Sequence, residues 1–178
     1  MKIPTHLGEL AIVDERAFTF GSADNVRIYP VEVFLRCTGR PVSVHGLLLD
    51  GTPLAVFGAA AGATGVHEHS AVWLRNKLFL AICDLVVCVE LNPVRVRWTL
   101  HVDQATCFGI YFHEPSNSLV SHGELAITRF SEAGSVVWQV GGPDSFTGQF
   151  VLGTDHLTVE DFNGHIHRFR FEDGSHVA

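Results

Sequence analysis

Basic charge is scarce in this chain: 12 lysines and arginines stand against 19 acidic residues, a formal charge of −7. The densest basic stretches are the alternations Arg95-Val-Arg97 and Arg168-Phe-Arg170. A nucleic-acid surface gains affinity by releasing counterions from clustered cations, so that class of partner is not expected. Charged residues of both signs make up only 17% of the 178 positions, and hydrophobic residues 47%. Such a balance excludes a disordered chain and predicts a large core or a covered partner surface.

Long apolar segments are missing too. The start, Met1-Lys-Ile-Pro-Thr-His6, has no apolar run of the kind a signal peptide needs. The longest apolar stretch, Leu78 to Leu91, is broken by Asp84 and Glu90 and is too short for a bilayer. Neither secretion nor a membrane is expected, which leaves the cytoplasm. No CxxC spacing joins the four cysteines, Cys37, Cys83, Cys88 and Cys107. With apolar neighbours throughout, they read as buried reduced thiols and not as a zinc site.

Helical spacing of apolar residues is absent as well, since Phe57 to Val66 carries three glycines. In its place stand β-branched and aromatic runs cut by Gly, Pro, Asn and Asp: Val26–Leu35, Leu78–Ile82, Val86–Leu91, Val94–Leu100, Leu125–Phe130 and Ser135–Val140. The fold class is therefore all-β, built from antiparallel meanders in a single domain over 1–178.

Near the end, Asn163-Gly164 separates two strand-like runs and predicts a two-residue type I′ hairpin. That register sets Phe162 opposite His165, Glu160 opposite His167 and Thr158 opposite Phe169.

The segment Leu78–Trp98 aligns without gaps on Ser118–Trp138, an offset of 40 residues, with Leu85 on Leu125 and Trp98 on Trp138. A third copy starts near Val159 and reaches Gly174-Ser175, matching Gly134-Ser135, and the chain stops before a third tryptophan. A weaker copy covers Val44 to Phe57, with Phe57 in the tryptophan's place. Units are thus expected at about 42–60, 78–103, 118–144 and 157–178, with a Gly/Ala-rich connection or flap at 58–66. The closing strand Gly134-Ser-Val-Val-Trp138 resembles the Gly-x-x-x-Trp strand of quinoprotein-type propeller blades, over roughly residues 75 to 178. The resemblance implies an incomplete propeller-like array or a β-sandwich of stacked meanders, with no quinone site carried over. His122-Gly-Glu-Leu, Val137-Trp, Gly142–Gly148 and Glu160–Gly164 also resemble small uncharacterised bacterial all-β proteins. That likeness implies a bacterial origin and transfers no site.

Histidine is the one excess, 11 residues. In His67-Glu-His69 and His165-Ile-His167 the two imidazoles share a strand face, the spacing that chelates a divalent transition metal. With Glu160 across from His167, the residues His165, His167, Glu160, His67 and His69 form a candidate metal set. The competing reading is a satisfied His–Glu pair on a half-buried face. Glycine before His67-Glu-His69 resembles the start of a cupin metal motif, but Ser70-Ala-Val-Trp73 stands where its glutamate belongs.

Phosphate loops and a GxSxG elbow are missing. Cys107, six residues from both His101 and His113, allows a Cys/His pair only if the fold joins them. Asp103, Glu114, His122, Glu124 and Asp144 are candidates for a polar rim, and equally for turn chemistry. Trp98 and Trp138 read as core anchors, and Trp73 as an exposed recognition aromatic. The expected function is a non-catalytic module that binds a protein partner, or itself, through a sheet face or edge, with no cofactor. The alternative is a small metal-dependent enzyme.

Overall fold

The computed structural model describes residues 1–35 and 39–177. Over these residues the fold is all-β, with four small sheets and no closed barrel. The first sheet takes β1 (Lys2–Thr5), β2 (Gly8–Asp14), β3 (Glu32–Phe34), β4 (Ser43–Leu49) and β5 (Thr52–Ala59) in the order β1-β2-β4-β5-β3. The second is the meander β6 (Ala71–Leu74), β7 (Lys77–Ile82), β8 (Leu85–Leu91), β9 (Val94–His101). The third is β10 (Cys107–His113), β11 (Ser118–Gly123), β12 (Ala126–Phe130), β13 (Val136–Gly141). The fourth has β14 (Phe150–Leu152), β15 (His156–Glu160) and β16 (Ile166–Arg170), extended by a bridge from Phe169 to His176.

Side-chain alternation stacks these sheets face to face. Along β7, Leu78, Leu80 and Ile82 join Leu10, Leu47 and Phe57 of the first sheet. The intervening Phe79 and Ala81 join Ile110, Leu119 and Phe130 of the third. Val120, Ile127 and Trp138 then meet Phe146, Leu157, Val159 and Phe169 of the fourth. A strand buried on both faces must be apolar at every position, which is why β7 and β8 read as continuous apolar runs. Each such side chain contributes roughly 1.5–3 kcal/mol by leaving water.

Two expectations need correction. Pairing is not wholly antiparallel, because β3 runs parallel to β5. Of the run Val26–Leu35, only Glu32–Phe34 pairs; Val26 and Ile28 are exposed. The preceding loop folds back so that Phe18, Phe20 and Tyr29 cover Val44 and Val56 on the outer face of the first sheet.

The internal repeat is real, but its register is not gapless. Lys77, Leu78 and Val89 hold the positions of Ser118, Leu119 and Phe130, 41 residues on, whereas Val96 and Trp98 hold those of Val136 and Trp138, 40 on. The slip lies in the turn before the tryptophan strand. Leu85 therefore corresponds to Ala126 and not to Leu125. Leu85 is 5% exposed and Ala126 8%, against 42% for Leu125.

Cys83, Cys88 and Cys107 are free and buried, and Cys37 lies outside the described residues. Burial pushes the Cys88 thiol up to about 11 and raises that of Cys107 as well. Among the described residues no helix is long and apolar enough to cross a membrane.

Candidate binding surfaces of the fourth sheet

The terminal hairpin does not adopt the two-residue turn. Asp161 and His165 close it instead: Asp161 N–H donates to the His165 carbonyl (2.9 Å) and Gly164 N–H to the Asp161 carbonyl (3.0 Å). The loop is then Phe162-Asn163-Gly164, a type I turn followed by a left-handed glycine with φ 82°. Asp161 selects it, because its Oδ1 accepts from the backbone N–H of Asn163 and of His165, both at 2.9 Å.

One extra loop residue flips the faces. Glu160 pairs with Ile166, and His167 with Val159. Glu160 thus points outward while His167, Phe169, Leu157 and Val159 point toward the third sheet. The carboxylate that receives the histidines is Asp161: His167 Nε2 lies 2.8 Å and His165 Nδ1 3.4 Å from its Oδ2. The His167 hydrogen bond, with the two backbone donors, holds the Asp161 carboxyl at about 2, well below its usual range.

His67 and His69 stand apart, before β6. His67 Nε2 contacts the Phe108 carbonyl at 2.6 Å, and the His69 ring packs 4.3 Å from that of Tyr111. Among the described residues, no three His, Cys, Asp or Glu side chains form a group able to hold a metal ion. His165, His167 and Glu160 therefore do not converge, and His67 and His69 bring no third ligand. Trp73 is half-buried against the first core, 5.9 Å from the His6 ring.

The remaining candidates are structural ties. Buried Asp103 accepts from the backbone N–H groups of Ala105, Thr106, Leu125 and Ala126. His101 binds Asp84 at 2.8 Å and Cys107 Sγ faces the Gly109 carbonyl, so no Cys/His pair forms. His122 Nε2 lies 2.8 Å from the Phe146 carbonyl, and burial lowers its pKa. The 58–66 connection is anchored, not a flap: Thr64 N–H donates to Ser43 Oγ (2.7 Å), and Cys83 N–H to Thr64 Oγ1 (3.1 Å).

Two features of the fourth sheet are not used by the fold. Its outer face, with Val151, Thr158, Glu160, Ile166 and Arg168, has no layer over it among the described residues. Val151 is 48% exposed, Ile166 74%, and Phe162 in the adjoining turn 72%. Scattered exposed apolar residues are ordinary, but three on one face and its turn mark a surface that lacks a partner.

The second feature is a hollow of about 560 Å³ where the turns of the third and fourth sheets meet. A directed hydrogen-bond chain forms one wall. The Thr154 carbonyl can only accept, so His113 Nε2 is protonated (2.9 Å) and Nδ1 takes the Ser116 hydroxyl (2.7 Å). Ser116 Oγ in turn receives Ser118 Oγ–H (2.7 Å), and Ser118 Oγ receives Arg129 Nε–H (3.0 Å). Arg129 Nη1 donates to the Phe171 and Glu172 carbonyls, both at 3.1 Å, with the guanidinium 4.4 Å above the Phe171 ring. Burial lowers the Arg129 pKa. Arg170 and Glu172 line the opening. Sequence reasoning passed over Ser116, Arg129, Arg170 and Glu172, because a gapless offset sets the serines against the wrong partners in the repeat.

No protein-family model and no curated protein matches the chain. Solved structures do resemble it. A europium-containing methanol dehydrogenase, a propeller-type protein, aligns with TM-score 0.52 at 13% identity, over 67% of this chain and 25% of that one. The computationally designed Ika8 protein aligns with TM-score 0.54 at 12% identity, over 79% of this chain and 46% of that one. The designed Ika4 protein gives 0.51 at 11%, over 67% and 77%. The chain spans a quarter of the dehydrogenase and under half of Ika8. At these identities the likeness concerns the fold alone: stacked meander sheets in a propeller-like arrangement.

Proposed function

We propose that this chain is a non-catalytic interaction module that self-associates through the outer face of its fourth sheet. The carrying observation is an asymmetry between the two ends of the stack. The first sheet's outer face is covered by Phe18, Phe20 and Tyr29, whereas Val151, Ile166 and Phe162 at the other end stand in solvent. The bare face is self-complementary in charge, since it carries Glu160 beside Arg168. A two-fold axis through it sets Glu160 of one copy against Arg168 of the other and buries Val151 and Ile166 between them. The buried free thiols support a reducing, cytoplasmic setting, and the sequence likeness supports a bacterial source.

Light scattering after size exclusion, at about 100 μM chain, tests this. A dimer is expected, with Ile166→Glu/Phe162→Ser turning it into a monomer of unchanged melting temperature. A wild-type chain that runs as a monomer overturns the reading.

A further inference from the structure

The seam between the second and third sheets and the seam between the third and fourth are one construction, a repeat apart. The first is filled. Arg75 Nη1 binds Glu132 Oε2 at 2.9 Å, Lys77 Nζ binds Glu132 Oε1 at 2.8 Å, and Arg75 Nη2 donates to Asn117 Oδ1 at 2.7 Å. The Lys77 hydrogen bond, followed by the charges of Lys77 and Arg75, lowers the Glu132 carboxyl despite its partial burial.

At the next seam Lys77 is replaced by Ser118, as the strand register requires. Ahead of it stands Asn117, which shares the left-handed backbone of Asn76 (φ 50° and 65°), and ahead of that Ser116 stands for Arg75. The acidic partner is kept. Glu172 lies two residues before the left-handed Gly174 (φ 73°), as Glu132 lies two before Gly134 (φ 82°). Lys77 and Arg75 thus have no counterparts at these positions, while the carboxylate remains. The seam's own cation is Arg129, which spends its donors on Ser118 and on the Phe171 and Glu172 carbonyls. Glu172 feels that charge but makes no ion pair within 4 Å among the described residues. Beside Ser116, the position of Arg75, lies the hollow of about 560 Å³, which Arg129 and Glu172 also line.

The fold does not require this hollow, because the same geometry one repeat earlier is closed by two side chains. Small serines keep it open, and the chain from Arg129 through Ser118 and Ser116 to His113 holds them in place. Arg170 lines the same opening, also without an ion-pair partner among the described residues. A carboxylate and a guanidinium, neither held in an ion pair within 4 Å among the described residues, face one space that Asp155 and His156 also line. The Phe171 ring beside it is packed by His113 at 3.6 Å and by Arg129 at 4.4 Å.

We infer that the seam between the third and fourth sheets binds a basic α-amino acid, its cationic end against Glu172 in the place Arg75 takes one repeat earlier and its carboxylate against Arg170. The ligand completes the seam as the chain's own arginine completes the other. This inference stands independently of self-association, and the binding readout does not depend on oligomeric state.

Calorimetric titration with L-arginine, and with agmatine as the analogue lacking the carboxylate, tests it. Saturable one-site binding of L-arginine is expected. Glu172→Gln should weaken both ligands about tenfold or more, whereas Arg170→Gln should weaken L-arginine and leave agmatine unchanged. Ser116→Arg, which restores the side chain of the filled seam, should abolish binding of both. Glu172 and Arg170 are exposed, so their variants should keep the wild-type melting temperature. No saturable L-arginine binding up to about 10 mM overturns the inference, as does unchanged affinity in Glu172→Gln or in Ser116→Arg.

Discussion

Gly174 lies against the indole of Trp138 as Gly134 lies against that of Trp98. A Cβ built on Gly174 stands 3.0 Å from Trp138 Cδ2, and one on Gly134 2.9 Å from Trp98 Cδ2. Each tryptophan also donates its Nε1–H into the neighbouring turn, Trp98 to the Glu132 carbonyl at 3.3 Å and Trp138 to that of Phe171 at 2.9 Å. The last strand of one sheet is thus pinned to a turn of the next, twice, with the same parts.

Gly134→Ala is therefore expected to cost more than a left-handed backbone alone. The φ of 82° carries a penalty of about 1 kcal/mol, and the new methyl presses on the Trp98 ring. Urea denaturation should show a loss of about 2 kcal/mol or more.

Gly164→Ala supplies the contrast. Its φ is also 82°, but among the described residues an added Cβ meets only Glu160 Oε1 within 4 Å, at 3.7 Å. About 1 kcal/mol is expected, from backbone strain alone. Equal losses at the two glycines would refute the docking role of Trp98.

Asp161 gives an acid-side prediction. Its folded carboxyl titrates near 2 against the usual 3.8, so the contribution is fully present above about pH 4 and is lost as pH falls through 2. Asp161→Asn should lower the urea midpoint at pH 5 and narrow its gap to wild type at pH 2.5. A constant gap would show that the ionised Asp161 carboxylate is not what stabilises the turn.

His45 acts in a different window. It is fully buried, and burial lowers it to about 4 against the weaker opposing pull of Asp14 and the Val44 backbone, with Nε2 3.2 Å from Thr64 Oγ1. The unfolded chain binds this proton near pH 6.5 and the folded one does not, so stability is full above 6.5 and declines as pH falls toward 4. The decline amounts to at most about 3 kcal/mol. His122, also lowered by burial, adds in the same direction. In His45→Gln the slope between pH 6.5 and 4.5 should flatten; an unchanged slope assigns it elsewhere.

Thiol reactivity checks the core. Cys83, Cys88 and Cys107 should stay unmodified by a soluble disulfide reagent in the native protein and react together on unfolding. Reaction of more than one thiol before unfolding would contradict the stacked-sheet packing.

Strand composition, the matched Trp98 and Trp138 and the two-sided apolar runs of β7 and β8 made the all-β class and the repeat legible from the chain alone. They depend on local propensity and period, which neighbouring residues express by themselves. Register was less legible. The choice between a two-residue and a three-residue loop at Asn163-Gly164 turned on one side chain, Asp161, bonding its own turn. That single step sent Glu160 to the outer face and moved the histidines to another carboxylate. The slip within the repeat likewise hid that Ser116 and Ser118 replace Arg75 and Lys77. Sequence by itself determined the strand class and the strands β7, β8, β9, β12 and β13, though not the extent of β3, because pattern and propensity act within a few residues. Tertiary structure decided what those strands face, because a shift of one residue costs little locally yet exchanges every side chain between the two faces of a sheet.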